Sequence, residues 1–167
     1  NAGMFVVELA FGVYAQSTGL IADSIDMLAD AMVYSLALLA VGKSAARQKA
    51  TAKASGALQM LLAVGVLADV VRRAITGSEP VEMFMMGVAA TALVANLACI
   101  ALLAKHREGG LHLKASWIFT TNDAIANLGV IAAGGLVWAT KSAVPDLVTG
   151  AVVALIVGFG AVRILRL

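Results

Sequence analysis

The sequence predicts an all-α, polytopic membrane protein built as a bundle of six transmembrane helices. Hydrophobic residues make up 61% of the 167 residues and charged residues only 13%, a balance well outside that of soluble domains. In addition, long apolar runs alternate with short polar breaks, and most runs approach the ~20 residues that a helix needs to cross a bilayer. We therefore expect one transmembrane domain over residues 1–167.

The polar breaks set the bounds of the predicted helices. These helices cover residues 1–15, 20–41, 55–75, 81–104, 112–139 and 146–165. Gly19, Pro80 and Gly110 lie in or beside three of the breaks, and such residues interrupt regular structure. The basic stretch between helices 2 and 3, residues 43–53, is expected to be a loop.

Lysine and arginine are distributed unevenly between the two sides of the predicted bundle. Nine of the twelve lie on the side of the 2–3 loop, the 4–5 connection and the C-terminus, against Arg72, Arg73 and Lys141 on the other side. Basic residues are enriched in cytoplasmic loops, so both termini are predicted to be cytoplasmic, in a bacterial inner membrane. Asp69 precedes Arg72 and Arg73 by about one turn, which predicts local ion pairs. The net charge of +2 gives no indication of a nucleic-acid partner.

Predicted helix 2 contains three aspartates, Asp23, Asp26 and Asp30. A charge at bilayer depth costs at least ~2.5–3.5 kcal/mol on insertion scales, so intramembrane acids usually have a function or a partner. No lysine or arginine occurs between Asn1 and Val41 to neutralise them. The missing cation is therefore predicted to be the substrate.

Predicted helix 5 carries a second polar group, Asp123 and Asn127, with the same four-residue spacing as Asp26 and Asp30. Residues four apart share one face of a helix, and helices 2 and 5 run antiparallel. We expect Asp30 to face Asp123 and Asp26 to face Asn127 at mid-membrane depth. Four oxygen-bearing side chains from two helices predict a divalent-metal site.

Five further residues are secondary candidates. Glu8 is the only acid of helix 1 and is interpreted as a proton carrier, a neighbour of the metal ligands or a packed, protonated acid. Asp23 is interpreted as an exit group near the outer interface or a cap at the helix start, and Asn122 is ambiguous. His106 and His112 flank the 4–5 loop, where they are candidates for metal capture at a cytoplasmic mouth or are simply solvated.

Two interpretations compete with a transporter. The spacing of the three aspartates has a partial likeness to metal-dependent phosphatidyltransferases of membranes, but those enzymes need a glycine where Met27 follows Asp26, and no arginine precedes Arg47. The other alternative is a non-transporting structural membrane protein whose acids are protonated and bonded to neighbouring helices.

Four motifs of the chain resemble the transmembrane domain of the cation diffusion facilitator family. The first helix has the family's Asn-x-x-x-Phe-x-x-Glu opening, and the stretch 17–30 is similar to the second-helix signature. Asp123-x-x-x-Asn127-x-Gly129 resembles the fifth-helix motif, and Pro145-Asp146 resembles the start of the sixth helix.

This resemblance implies a six-helix bundle with cation-efflux topology that works as a homodimer. It implies a secondary transporter rather than an enzyme, which exports Zn²⁺, or alternatively Cd²⁺, Co²⁺, Fe²⁺ or Mn²⁺, in exchange for protons by alternating access. The metal is then a substrate, no prosthetic group is expected, and Asp26, Asp30 and Asp123 are carried over as ligands.

The chain departs from the family pattern at Phe119, which stands where most members have histidine or another polar ligand. The remaining oxygen donors favour harder ions such as Mn²⁺. Most members also carry a cytoplasmic metal-sensing domain after helix 6, which we expect to be absent from this chain.

Overall fold

In a computed structural model of the chain, the described residues form six α-helices. The structure describes residues 1–40, 44–104 and 111–166, apart from the side chains of residues 36–40, 45, 48, 51, 111–116, 118 and 119. The helices are α1 (Ala2–Tyr14), α2 (Thr18–Ala40), α3 (Ala45–Thr76), α4 (Glu82–Ala104), α5 (Leu111–Thr140) and α6 (Val144–Leu165). These ranges contain no strand, which confirms the all-α fold class.

Five of the predicted helices agree with the structure to within two residues at each end, and α3 is the exception. It begins at Ala45, ten residues before the predicted start at Ser55, so the stretch predicted as a basic loop is mostly helical. Its alanine, lysine, arginine and glutamine residues all have high helix propensity. Hydropathy identifies apolar spans and therefore misses a polar extension of the same helix.

Four segments of the described helices are long and apolar enough to cross a membrane: Ala52–Thr76, Glu82–Ala104, Thr120–Thr140 and Val144–Leu165. The shorter α1 has 13 residues. The helix α2 has 23 residues, the length of a span, but contains the three aspartates. The structure thus supports a helical membrane protein, and the number of six spans stays a prediction.

The described surface is largely apolar, whereas several acids lie inside the bundle. Large side chains such as Ile75, Val94 and Phe159 are mostly exposed, while Glu8 and Asp23 are completely buried. This is the reverse of a soluble domain, and it suits a bundle whose outer face is solvated by lipid.

The helix α2 contacts each of the other five helices and lies between two apolar clusters. Leu20 packs with Met85 of α4 and Val130 of α5 in the first cluster. Ala22 and Ile25 belong to the second cluster, which is formed with residues of α3 and α6. The aspartates of α2 are therefore held on the most enclosed helix of the bundle.

The α1–α2, α3–α4 and α5–α6 turns meet at one end of the bundle, here called the hairpin end. The opposite end, where α1 begins and α6 ends, is called the terminal end. At the hairpin end the backbone N–H of Val81 donates to the carbonyl oxygen of Ala15 at 2.9 Å. The guanidinium of Arg73 donates to the carbonyl oxygen of Gln16. These bonds tie α3 and α4 to the α1–α2 turn.

The ion pairs predicted within α3 are present. Oδ1 of Asp69 contacts Nη2 of Arg72 at 2.5 Å, and Oδ2 of Asp69 contacts Nε of Arg73 at 2.6 Å. A further pair joins α4 to the end of α5, where Nζ of Lys141 lies 3.3 Å from Oε1 of Glu82. All three basic residues of the hairpin end are thus paired with acids.

Asp146, in the first turn of α6, accepts hydrogen bonds from the start of α2. Its Oδ1 accepts from the hydroxyl of Ser17 at 2.7 Å and from the N–H of Gly19 at 3.0 Å. Its Oδ2 accepts from the N–H of Thr18 at 2.7 Å and lies 2.9 Å from the hydroxyl of Thr18. The carboxylate is completely buried, yet these donors and the positive end of α2 satisfy it.

The helices α2 and α6 come closest beside this contact, at Gly150. A Cβ atom on Gly150 would lie 2.8 Å from the backbone carbon and oxygen of Thr18. Backbone atoms cannot move aside as the end of a flexible side chain can. Asp146 and Gly150 therefore fix the position of α2 along the bundle, and with it the depth of its aspartates.

We expect Gly150→Ala to lower the thermal unfolding temperature of the detergent-solubilised protein. Overpacking typically costs about 1–3 kcal/mol, which outweighs the ~1 kcal/mol that alanine gains over glycine in a helix. Gly135→Ala is the matched control, because its Cβ would meet nothing within 4 Å. Equal unfolding temperatures for the two variants would contradict the close crossing of α2 and α6.

Candidate metal centre

The three aspartates of α2 differ in burial. Asp23 is completely buried, Asp30 is 7% exposed, and Asp26 is half-buried. Neither carboxylate oxygen of Asp23 has a hydrogen-bond partner among the described residues. Spacings of three and four residues keep all three side chains on one side of the helix. They form a column of oxygens that runs along α2.

The polar pair of α5 is also buried, with Asp123 1% and Asn127 0% exposed. Nδ2 of Asn127 donates to the backbone oxygen of Asp123 at 2.7 Å, which leaves Oδ1 of Asn127 available as an acceptor. Neither this Oδ1 nor Oδ2 of Asp123 has a described partner. Asn122, in contrast, is exposed and lies on another face of α5.

The packing of α2 against α5 shifts the predicted pairing by one helical turn. A Cβ on Gly19 would lie 3.5 Å from Cγ2 of Val130, so these two positions are level. Asp26 and Asp123 are each seven residues further toward the terminal end, or about 10 Å at the rise of an α-helix. Asp26 is thus level with Asp123, and by the same count Asp23 is level with Asn127.

The prediction that Asp30 faces Asp123 and Asp26 faces Asn127 is therefore corrected. It counted depth from the helix ends at the terminal side, whereas packing near the hairpin end sets the register. Asp30 instead lies level with Thr120, whose side chain is buried. That hydroxyl adds an oxygen next to Phe119, whose own side chain lies outside the described residues.

Electrostatic repulsion links the acids of three helices. Asp123 repels Glu8 of α1 and also Asp23, Asp26 and Asp30 of α2. No lysine or arginine occurs between residues 1 and 41 to offset these charges. Asp123 is thus the member of the centre that couples to acids on both neighbouring helices.

Glu8 lies close to the level of Asp23. A Cβ on Gly12 would lie 2.9 Å from Cγ1 of Ile21, so Gly12 and Ile21 are level. Glu8 is four residues from Gly12 toward the terminal end, about 6 Å, and Asp23 is two residues from Ile21, about 3 Å. Glu8 is completely buried, and neither of its carboxylate oxygens has a described partner.

These oxygens form layers rather than a closed coordination sphere. Within the described parts of the chain, no group of three or more histidine, cysteine, aspartate or glutamate residues is arranged to hold a metal ion. The assignment of Asp26, Asp30, Asp123 and Asn127 as metal ligands therefore stays a prediction. The secondary candidates Glu8 and Asp23 are more deeply buried than Asp26.

The interpretation of Asp23 as a cap at the helix start is wrong. The helix α2 begins at Thr18, and the hydroxyl of Ser17 accepts from the N–H of Leu20 at 3.1 Å. Asp23 lies more than one turn inside the helix. His106 lies outside the described residues, as does the side chain of His112, so the predicted cytoplasmic capture site is not tested.

Sequence reasoning missed three polar residues that the structure buries: Asp146, Thr120 and Asn96. Asn96 lies on the buried face of α4, and its Nδ2 has no partner among the described residues. A lone carboxamide inside an apolar run is the signal that would have found it. The acceptor role of Asp146 joins residues more than 120 positions apart and has no local signal.

The fold and its buried oxygens define a helical membrane protein with an acidic interior. A family model described as the cation efflux transmembrane domain matches residues 1–54 and 50–166. The chain therefore belongs to the cation efflux family, the cation diffusion facilitators, which confirms the family resemblance and indicates a metal cation transporter rather than an enzyme. A search of curated proteins found no match to the chain.

We expect Asp123→Asn to raise the thermal unfolding temperature of the metal-free protein at alkaline pH. The change removes repulsion with Asp26 and Asp30, on the order of 1–4 kcal/mol for charges a few ångströms apart. Glu79→Gln, at an exposed position, is the control and is expected to leave the temperature unchanged. A lower temperature for Asp123→Asn would mean that this carboxyl group stabilises the fold.

Proposed function

We propose that the chain is a divalent metal cation efflux transporter, which exchanges its metal for protons by alternating access. The observation that carries this proposal is the column of acids on α2 facing Asp123 of α5. It lies inside a bundle with an apolar outer surface. The family of the chain supports a metal cation as the substrate.

The first binding position consists of Asp26, Asp30, Asp123 and Asn127. Asp26 and Asp123 contribute carboxylates from opposite sides at one level, and Asp30 extends the position by one turn toward the terminal end. Asn127 contributes a neutral oxygen, because its amide group is already bonded to its own helix. The metal passes through as substrate, and the proposal includes no prosthetic group.

Protons drive release because they compete with the metal for the same oxygens. Ligating carboxylates must be deprotonated to bind. When the position opens to the side with more protons, protonation of the three aspartates weakens binding and the metal leaves. Deprotonation on the other side restores the negative charge and the affinity for the next ion.

The identity of the metal depends on the donors. Zn²⁺ is the family expectation, with Cd²⁺, Co²⁺ and Fe²⁺ as alternatives. The proposed ligands are oxygens only, with no imidazole or thiolate, and such sites suit harder ions. Mn²⁺ is therefore the alternative that the donor set of this chain favours.

The transport proposal predicts metal flux in liposomes under an imposed pH gradient. We expect wild-type protein to move Zn²⁺ or Mn²⁺, measured beside Cd²⁺, Co²⁺ and Fe²⁺. Asp30→Asn is expected to lower flux about tenfold or more, because even losing a group that only supports a metal ligand typically costs 10–100-fold. Glu79→Gln should transport at the wild-type rate. Full flux in Asp30→Asn would overturn the ligand assignment, and wild-type protein without flux for any ion would overturn the transport proposal.

We further propose six spans with both termini in the cytoplasm of a bacterium, and, on family membership alone, a homodimer. The asymmetry in basic residues supports this orientation. Described basic residues near the terminal end include Arg47, Lys49 and Arg163, none of which has a printed acidic partner in the sequence pattern used to orient the chain. Basic residues favour the cytoplasmic side, so the hairpin end faces outward.

This orientation predicts which positions a membrane-impermeant maleimide reaches in intact cells. In a Cys99→Ser background, Glu79→Cys at the hairpin end should be labelled from outside. Ser44→Cys should be labelled only after permeabilisation, and both positions are exposed in the structure. The reverse labelling pattern would show that the termini face outward.

A further inference from the structure

The bundle treats its buried acids in two different ways. The carboxylate of Asp146 accepts hydrogen bonds from Ser17, Thr18 and Gly19. Glu8 and Asp23 are just as deeply buried, but none of their four carboxylate oxygens has a partner among the described residues. Buried carboxylates without donors are strongly unfavourable, so a ligand is required to explain them.

Asn127 provides an independent indication of that ligand. It is neutral, completely buried and level with Asp23, on the face of α5 that packs against α2 and α4. Its Nδ2 is fixed on the backbone oxygen of Asp123, and its Oδ1 has no described partner. This oxygen is an acceptor without a donor, so whatever it binds is a cation or a hydrogen-bond donor.

We propose that Glu8, Asp23 and Asn127 form a second position for a divalent cation, one helical turn closer to the hairpin end than Asp26 and Asp30. The proposal rests on the transport function proposed above. Glu8 comes from α1, Asp23 from α2 and Asn127 from α5. The second position therefore joins three helices, whereas the first joins two.

Charge and donor chemistry identify the class of ion. The two carboxylates carry the two negative charges that balance one divalent cation. All donors are oxygens, which suits a hard ion such as Mn²⁺. With both positions filled, the five acids Glu8, Asp23, Asp26, Asp30 and Asp123 face four positive charges. The repulsion centred on Asp123 is then turned into attraction.

The second position extends the path of the substrate toward the hairpin end. One helical turn corresponds to about 5.4 Å, so an ion can pass from one set of oxygens to the next without leaving the shielded interior. Asp123 repels acids of both sets and lies between them. The layers of oxygens thus form steps of one path.

The test is equilibrium binding of Mn²⁺ to the purified full chain, followed by electron paramagnetic resonance. Wild-type protein is expected to bind two Mn²⁺ per chain, with spectral broadening because two paramagnetic ions lie close together. Glu8→Gln should bind one ion and lose the broadening, and Asp30→Asn should also bind one ion, held by the second position. Glu8→Gln combined with Asp30→Asn should bind none. Glu79→Gln is the control and should behave as wild type.

Asn127→Leu gives a second route to the same answer if Glu8→Gln fails to fold. It keeps a side chain of similar size but removes Oδ1, and it should weaken binding about tenfold or more at a minimum of one position. Circular dichroism checks that each variant retains its helices. A folded Glu8→Gln protein that still binds two ions would overturn the second position.

The outcomes separate this inference from the proposed function. One Mn²⁺ in the wild type, lost in Asp30→Asn and retained in Glu8→Gln, would overturn the second position while leaving transport through the first intact. Neither binding nor flux for Mn²⁺ or Zn²⁺ in the wild type would overturn both proposals. Two ions in the wild type and one in Glu8→Gln support the second position.

Discussion

The depth of the acids in this bundle depends on one contact, the carboxylate of Asp146 at the start of α2. It accepts hydrogen bonds from Ser17, Thr18 and Gly19, and Gly150 lets the two helices meet backbone to side chain beside it. Because α2 contacts every other helix, any slide along its axis would disturb both apolar clusters. The position of α2 therefore decides which oxygens of α1 and α5 its aspartates meet.

Burial alone does not distinguish a structural acid from a functional one, but the partners of the acid do. Asp146 and Asp69 are surrounded by donors from the backbone, hydroxyl groups or arginines. Glu8 and Asp23 are not, although they lie in the same bundle. A protein that satisfies one buried carboxylate with several hydrogen bonds and leaves others bare has kept the bare ones for a ligand.

Local chemistry explains what could be predicted from the sequence. Apolar run length and turn residues gave five helices to within two residues, and the intramembrane aspartates indicated the acidic centre. The start of α3 was missed because helix propensity, not hydropathy, extends that helix to Ala45. The pairing of Asp26 with Asp123 was missed because the contact between Gly19 and Val130 sets it. Such a register depends on tertiary packing, which no helical periodicity encodes.

The ion pairs of the hairpin end have a consequence for a departing ion. Arg72 and Arg73 are neutralised by Asp69, and Lys141 is matched by Glu82. With Glu79 added, that end carries three positive and three negative side chains outside the buried Asp146. A divalent ion released there meets no net positive potential, so its escape into solution is limited by its own ligands and not by a charged rim.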